Sequence, residues 1–366
     1  GNSRLADQLT AVASADICTI DSYYSRLVRD NFQASGVPSS FRIADGDEDR
    51  LMRLETARES VEYLLSNEPS FRSLCETFGM AKGEIMIAEQ LEKLESALSS
   101  RPGGIDELET HAGLLLSEAD GDFFGSRRGK ALASFAEMIL KRISLLCEKE
   151  KSIIDTEPQI APYLEAVSSD MSLVSELVSV LSGNSYETFR KAVASKVPEK
   201  LKTVRNAKGE ALEKKDLVCD LRDTVKKELK TLKSLVSLSR EEISEQMKAE
   251  ASVCLDTLTA LRHYSKALAE LKRSRSVVAF SDLKRAAARL LISPDGKPTP
   301  VALAERRRYS HIFVDEYQDT DAVQDMIFRT ISDGRNLFIV GDIKQSIYSF
   351  RNAEPSVFSS YRNIFP

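Results

Sequence analysis

Two short apolar segments near the C-terminal end of the sequence, with a helical pattern between them, constrain the fold most. Residues 312–314 read Ile-Phe-Val and residues 337–340 read Leu-Phe-Ile-Val, and an amphipathic stretch at 322–331 separates them. A strand, a helix and a strand in this order form a βαβ unit, in which the two strands run parallel. The sequence therefore predicts an α/β domain with a parallel sheet.

The middle of the chain has a different pattern. From about residue 45 to residue 270 apolar side chains recur at helical spacing, as at Leu54, Val61 and Leu64. Residues 210–272 contain few helix breakers, and we expect one or two long helices with a narrow apolar seam there. The sequence thus predicts three parts, which are residues 1–44, a large all-α subdomain at residues 45–270, and residues 271–366.

The first part contains one short β-branched run at residues 17–20. A helical pattern follows it, and we expect Asp21 or Ser22 to cap a helix that begins at Tyr23. Leu27 and Val28 continue the apolar face of this helix.

Composition excludes several classes of protein. The net charge of −5 gives no general basic surface, but a basic groove can lie within an acidic protein, so the charge does not decide whether the chain binds nucleic acid. The five cysteines are far apart and odd in number, so we expect free thiols rather than a zinc site or disulfides. No apolar run approaches the roughly 18 residues that cross a bilayer, and no signal peptide pattern is visible. These features predict a cytoplasmic protein with no membrane segment.

The polar residues that follow the two apolar segments indicate the chemistry. Asp315 and Glu316 end the first segment, and Gln345 follows the second closely. In an open α/β sheet, ligands bind beyond the carboxyl ends of the strands, so both groups are expected at one crevice. Because side chains alternate along a strand, Asp315 and Glu316 are predicted to have different tasks. The alternative is an acidic turn after a buried strand, which is common.

Two longer strings resemble motifs of the UvrD/RecB helicase superfamily. Residues 315–320, DEYQDT, resemble its second motif, and residues 341–353, GDIKQSIYSFRNA, resemble its third. Residues 19–23, TIDSY, and residues 280–283, FSDL, are weaker matches. Within the superfamily the chain is most similar to AddA-like helicase–nuclease subunits, through Lys344 among other features, and RecB is the near neighbour. The choice between these two stays open.

The resemblance implies a fold and a function. The fold would be a partial RecA-like motor domain, formed by residues 1–44 and 271–366, with residues 45–270 as a helical insertion. The function would be that of an ATP-dependent DNA helicase/exonuclease subunit in double-strand-break repair and recombination, which translocates on single-stranded DNA. Its cofactors would be ATP and Mg²⁺, and its partners would be single-stranded and duplex DNA and an AddB-like subunit.

The resemblance also implies roles at the nucleotide. Asp315 would hold Mg²⁺, because hard cations favour oxygen ligands. Glu316 would orient and deprotonate the attacking water near the γ-phosphate. Gln345 would bind the γ-phosphate or that water. Arg351 would pair with the acidic motif or with a phosphate, and the sequence does not decide between them.

Other residues are predicted to contact DNA. The family uses aromatic side chains at the positions of Tyr348 and Phe350 to stack on single-stranded bases, although either could instead belong to the core. Thr19 and Ser22 could contact the DNA backbone or simply cap a helix. Residues 196–233 hold 12 Lys and Arg against 7 Asp and Glu, which suits either duplex phosphates or a solvated helix face.

The phosphate-binding sequence G-x-x-x-x-G-K-[ST] does not occur in the chain. We therefore expect a piece of a longer subunit that is inactive alone, with any nuclease domain elsewhere. The alternative is a non-catalytic, helicase-like module for DNA or protein interaction that has no Walker A loop. A purely helical scaffold explains the middle of the chain but not the two motifs.

Overall fold

The computed structural model describes residues 12, 15–38, 40–78, 83–183, 185–205, 207–346 and 354–361. The chain forms two compact units. Residues 1–109 and 255–366 form the first, which we call the discontinuous unit, and residues 110–254 form the central unit. Most of the described residues are helical, and the strands are short and parallel.

Among its described residues, the discontinuous unit contains four strands, which are β1 (Arg42–Ile43), β2 (Val277–Val278), β3 (Ile312–Val314) and β4 (Leu337–Ile339). Its first helices are α1 (Ile20–Asp30), α2 (Phe32–Ser35), α3 (Gly46–Asn67), α4 (Pro69–Thr77) and α5 (Glu84–Ser99). Its last helices are α12 (Phe280–Leu291), α13 (Pro300–Arg308), α14 (Ala322–Ile331) and α15 (Pro355–Ser360).

The described residues of the central unit form helices joined by turns and loops, with no strand among them. It contains α7 (Arg127–Asp155), α8 (Leu164–Gly183), α9 (Tyr186–Ser195) and α10 (Glu210–Leu235). The unit boundaries fall within α6 (Glu107–Ala119) and α11 (Arg240–Ser274). Helices α10 and α11 confirm the long helices predicted over residues 210–272, with a short break between them.

The predicted βαβ unit is confirmed. Strands β3 and β4 pair in parallel, with Ile312 opposite Leu337 and Val314 opposite Ile339. Helix α14 connects them over the predicted residues, and Asp321 begins it with a capping box that includes Gln324. The second strand is one residue shorter than predicted, because it ends at Ile339.

A second parallel pair, β1 with β2, was not predicted from the sequence. It lies between two hydrophobic clusters of the discontinuous unit. Val277 belongs to the cluster around α3 and α5, and Val278 belongs to the cluster around α1, α12 and α14. Because successive side chains of a strand point to opposite faces, two residues are enough to contribute to both clusters.

Buried ion pairs hold α5 against α3 and α12. Glu95 is almost fully buried, and its carboxylate accepts hydrogen bonds from Arg53 on α3 at 3.2 Å and from Arg285 on α12 at 2.8 Å. Arg285 also donates to Asp282 at 2.7 Å, and Lys272 on α11 pairs with the same aspartate at 2.7 Å. Although burial acts to raise it, Lys272 and Arg285 lower the pKa of Asp282 to about 2.

The compact units do not follow the predicted three parts. Helices α3 to α5, which fall within residues 45–270, belong to the same unit as residues 255–366. Compactness is a different criterion from an insertion in the chain, so the predicted boundaries at residues 44/45 and 270/271 stay a prediction.

The first helix begins earlier than predicted. Thr19, rather than Asp21 or Ser22, is the N-cap of α1, and its hydroxyl oxygen accepts a hydrogen bond from the backbone N–H of Ser22 at 3.2 Å. The β-branched residue Ile20 is therefore the first helical residue. A local cap outweighed the β propensity of the run at residues 17–20.

All five cysteines are free, as predicted. Among the helices of the described residues, none has both the length and the apolar character needed to cross a membrane.

The core of the central unit contains an unbalanced group of charges. Glu150 on α7 is fully buried, and neither of its carboxylate oxygens has a hydrogen-bond partner among the described residues. Asp170 on α8 and Arg222 on α10 form a buried ion pair at 2.6 Å. Burial raises the pKa of Glu150 to about 7, although Arg222 and Lys226 act to lower it and Asp170 adds to the increase.

We predict that Glu150 makes the central unit less stable as the pH rises. The pKa of this carboxyl is higher in the folded state than the ordinary value of 4.5. The stability that the protonated carboxyl contributes is therefore fully present below about pH 4.5, and it is lost as the pH rises through about 7. The Glu150→Gln variant should remove this dependence and, at pH 8, stabilise the unit by on the order of 2–3 kcal/mol.

Hydrogen exchange of amides in α7 and α10 at pH 5.5 and pH 8 measures this effect. The control is Glu137→Gln, which makes the same chemical change at an exposed position of α7. Equal pH dependence in the Glu150→Gln and Glu137→Gln proteins would contradict the prediction.

Candidate functional site

The carboxyl ends of β3 and β4 form the candidate site. Beyond the paired residues, the N–H of Val340 donates to the carbonyl oxygen of Val314 at 2.9 Å, and the N–H of Tyr317 donates to the carbonyl oxygen of Val340 at 2.8 Å. These bonds continue the sheet pairing past the ends of the strands. The residues after β3 and those after β4 therefore leave the sheet at the same edge.

Asp315 and Glu316 lie just past the end of β3, and both are exposed. Glu316 has φ 51° and ψ 42°, the left-handed helical region, and a 3₁₀ turn over Tyr317–Asp319 follows. This backbone conformation costs a residue other than glycine roughly 1–2 kcal/mol. The strand alternation predicted for the two carboxylates does not apply here, because the strand ends at Val314.

Gln318, which was given no role in the sequence prediction, connects the two segments that follow the strands. The first segment, residues 315–320, follows β3, and the second segment, residues 341–346, follows β4. The side chain of Gln318 is 1% exposed. Its Nε2 donates to Oε2 of Glu316 at 2.5 Å, and its Oε1 accepts from the backbone N–H of Asp342 at 2.9 Å. The Q of the DEYQDT string was the available signal, but its burial depends on the contact with β4.

Gly341 leaves the space that this amide occupies. A Cβ atom at Gly341 would lie 2.4 Å from Oε1 of Gln318 and 3.1 Å from the backbone nitrogens of Tyr317 and Gln318. Real Cβ atoms do not approach other atoms this closely, and two of these neighbours are backbone atoms. The glycine is therefore needed for close approach of the two segments.

The segment after β4 brings Gln345 to the same edge. The carboxylate of Asp342 caps a 3₁₀ turn over Ile343–Gln345 by accepting from the N–H of Lys344 at 3.0 Å. Its second oxygen accepts from Nε2 of Gln345 at 3.3 Å. Hydrogen bonds thus join Glu316, through Gln318 and Asp342, to Gln345.

A buried cluster around Asp325 holds the turn that follows Glu316 in place. The hydroxyl groups of Tyr317 and Tyr361 each donate to Oδ1 of Asp325 at 2.6 Å, and Arg329 pairs with its Oδ2 at 2.8 Å. Burial, together with the hydrogen bond to Asp325, raises the pKa of Tyr317 far above its ordinary value. Tyr317 is therefore a neutral donor that fixes the turn after Glu316.

The exposed charge at this edge is mainly negative. Asp315, Glu316 and Asp342 are exposed, and among the described residues no Lys or Arg forms an ion pair with them. The described residues also contain no group of three or more side chains that could hold a metal ion by themselves. Mg²⁺ commonly takes one or two carboxylates and completes its shell with water and phosphate oxygens, so this donor set fits Mg²⁺ bound together with a nucleotide.

No described contact brings Thr19 or Ser22 to this edge. The hydroxyl oxygens of Thr19 and Ser22 are 2.8 Å apart at the start of α1, where they form the helix cap. Tyr348, Phe350 and Arg351 lie outside the described residues. Their predicted contacts with DNA or phosphate stay predictions.

A parallel βαβ unit with acidic and amide side chains at the carboxyl ends of its strands is typical of α/β domains that bind ligands at this edge. The family described as the UvrD/REP helicase N-terminal domain matches residues 2–366. The chain belongs to this family.

Its relatives support the same assignment. The chain is 29% identical over 378 residues to the AddA subunit of the ATP-dependent helicase/nuclease of Acetivibrio thermocellus, and the match covers 100% of the chain and 30% of that protein. It is 31% identical over 373 residues to the corresponding subunit from Syntrophomonas wolfei, with 100% and 29% covered. The resemblance to AddA-like subunits is confirmed, and the chain spans about 30% of the length of these curated relatives.

We predict that Gly341→Ala destabilises the discontinuous unit by about 1–3 kcal/mol, because the added methyl group must displace the amide of Gln318 and the adjacent backbone. Urea unfolding followed by hydrogen exchange in α14 measures the loss. Gly46→Ala is the control, since a Cβ there would have no atom within 4 Å. Equal stability of the two variants would show that the two segments have more room than the structure indicates.

Proposed function

We propose that this chain forms part of the first motor domain of an ATP-driven DNA helicase–nuclease subunit, with a RecA-like sheet and a helical insertion subdomain. The single observation that supports this best is the hydrogen-bonded sequence Glu316–Gln318–Asp342–Gln345 at the carboxyl edge of β3 and β4. The names of the relatives point to the same activity.

In the proposed mechanism Asp315 would hold Mg²⁺, which would supply positive charge to offset the negative charge of the phosphates of ATP. Glu316 accepts the proton of the attacking water, and its exposed carboxylate is free to reach one. Gln345 lies three residues after Asp342 and donates a hydrogen bond to the γ-phosphate or to the water. Arg351 pairs with a phosphate or with the acidic segment.

DNA contacts complete the proposal. Tyr348 and Phe350 stack on single-stranded bases, and Thr19 and Ser22 contact the backbone. Several lysines in and near α10 pair with acidic neighbours, as Lys214 does with Glu210 and Lys226 does with Asp223, which favours a solvated face over a duplex-binding one. We also propose an AddB-like partner, a cytoplasmic location and a role in double-strand-break repair and recombination.

We predict that the chain alone shows no ATP hydrolysis stimulated by DNA. Without a phosphate-binding lysine and loop, the acidic edge does not compensate the charge of a triphosphate. Phosphate release with single-stranded DNA measures this. Turnover that Glu316→Gln abolishes would mean that the chain holds a complete site.

In a complete subunit that includes this chain, Glu316→Gln should retain ATP binding and lose roughly 10²–10⁴-fold in kcat, because the amide cannot accept a proton. ATP binding and steady-state hydrolysis are measured on the same preparation, and Glu137→Gln serves as the control. If the Glu316→Gln protein hydrolysed ATP at the parental rate, the base would be another residue. If the complete parental subunit hydrolysed none, the non-catalytic module would be favoured.

A further inference from the structure

We propose that Gln318 is a positioning residue that couples Glu316 to the segment 341–346, so that the base is held in place only when that segment is in place. This inference rests on the proposed function, because it assigns Glu316 and Gln345 their roles in hydrolysis. Gln318 would not contact the nucleotide. It would act through the two groups to which its amide is hydrogen-bonded.

The orientation of the amide is fixed by its neighbours. The backbone N–H of Asp342 is a donor only, so the amide atom that faces it at 2.9 Å must be the oxygen. The amide nitrogen then faces Glu316, whose carboxylate accepts its hydrogen bond at 2.5 Å. A neutral side chain with one donor end and one acceptor end satisfies both partners at this spacing, whereas glutamate cannot donate to Glu316 and an aliphatic side chain satisfies neither.

The amide has little freedom to leave this position. Gln318 is 1% exposed, and Gly341 provides the clearance that a side chain would close. The backbone carbonyl oxygen of Gln318 also accepts a hydrogen bond from the hydroxyl group of Ser346 at 3.5 Å, at the end of the segment 341–346. A displacement of residues 341–346 therefore moves the atoms to which Gln318 is bonded.

Glu316 is where such a displacement has its effect. Its left-handed backbone conformation is strained, and such conformations persist only where the surroundings hold them. The hydrogen bond from Gln318 is the side-chain contact that directs its carboxylate. If Gln345 bound the γ-phosphate, its hydrogen bond to Asp342 would couple the position of Asp342 to that contact, and the amide of Gln318 would transmit a displacement to the proposed base.

The chemistry predicts a specific effect for Gln318→Glu. This change preserves size and the acceptor for the N–H of Asp342, but it replaces the donor to Glu316 by a second carboxylate. Two like charges at this distance repel each other, so the carboxylate of Glu316 is expected to turn away from the position in which Gln318 holds it. We therefore expect Gln318→Glu to lower kcat roughly tenfold or more, with KM for ATP unchanged.

The experiment uses the complete subunit that includes this chain and measures kcat and KM for ATP in DNA-stimulated hydrolysis. Four proteins are compared, which are the parent, Gln318→Glu, Gln318→Met and the control Gln33→Glu, the same chemical change at an exposed position of the discontinuous unit. Gln318→Met keeps the length of the side chain and removes both hydrogen bonds. It should lower kcat about tenfold, with KM for ATP unchanged.

A lower kcat in both Gln318 variants and not in Gln33→Glu, with unchanged KM, supports the coupling. A parental kcat in both Gln318 variants would overturn it, as would a loss that appears in KM and not in kcat. If Gln318→Glu does not fold, a parental kcat in Gln318→Met overturns the proposal by itself. Glu316→Gln separates this inference from the proposed function. If that variant hydrolysed ATP at the parental rate, Glu316 would not be the base and the proposed function would fail. If it lost hydrolysis while both Gln318 variants kept the parental kcat, only the coupling would fail.

Discussion

The parallel pairing of β3 with β4 is the interaction on which the candidate site depends. Only three residues pair on each side, and the bond from the N–H of Tyr317 to the carbonyl oxygen of Val340 extends the pairing into the turns. This register places Gly341 beside Gln318. A shift of one residue in this register would move the side chains of the shifted strand to the opposite face of the sheet. It would also put a Cβ atom where the amide of Gln318 lies.

The two units differ in whether their buried carboxylates have charged partners. In the discontinuous unit, Glu95 has two guanidinium partners, and the ion pairs join residues far apart in the sequence. Buried pairs contribute little net stability, but removing one partner leaves a costly charge, so this set mainly fixes which helices pack together. In the central unit Glu150 has no such partner among the described residues, and its cost appears instead as a pKa near 7.

The sequence predicted what depends on local signals. The limits of α14 follow from its periodicity and its cap, and the parallel pairing follows from a helix placed between two apolar runs. The buried amide of Gln318 was not predicted, because it depends on a contact with a residue 24 positions away, and no local signal indicated the left-handed conformation of Glu316. The division into two compact units was not predicted, for a related reason. Arg285 and Glu95 resemble ordinary exposed helix residues in a sequence, and only the folded chain, which brings together residues separated by 190 positions, shows that they are paired.

The charge of the site explains why coupling would be useful there. Asp315, Glu316 and Asp342 are exposed carboxylates at one sheet edge, with Lys344 as the nearby cation in the same turn. A triphosphate is repelled by such an edge unless Mg²⁺ and further cationic groups offset its charge. A base that acted before those groups were in place would have no positioned phosphate for the water to attack. Because Gln318 connects the base to the segment that carries Gln345, the proposed arrangement makes the orientation of Glu316 depend on the group that detects the γ-phosphate. The strained backbone of Glu316 fits this dependence, since a relaxed residue would hold its orientation without the second segment.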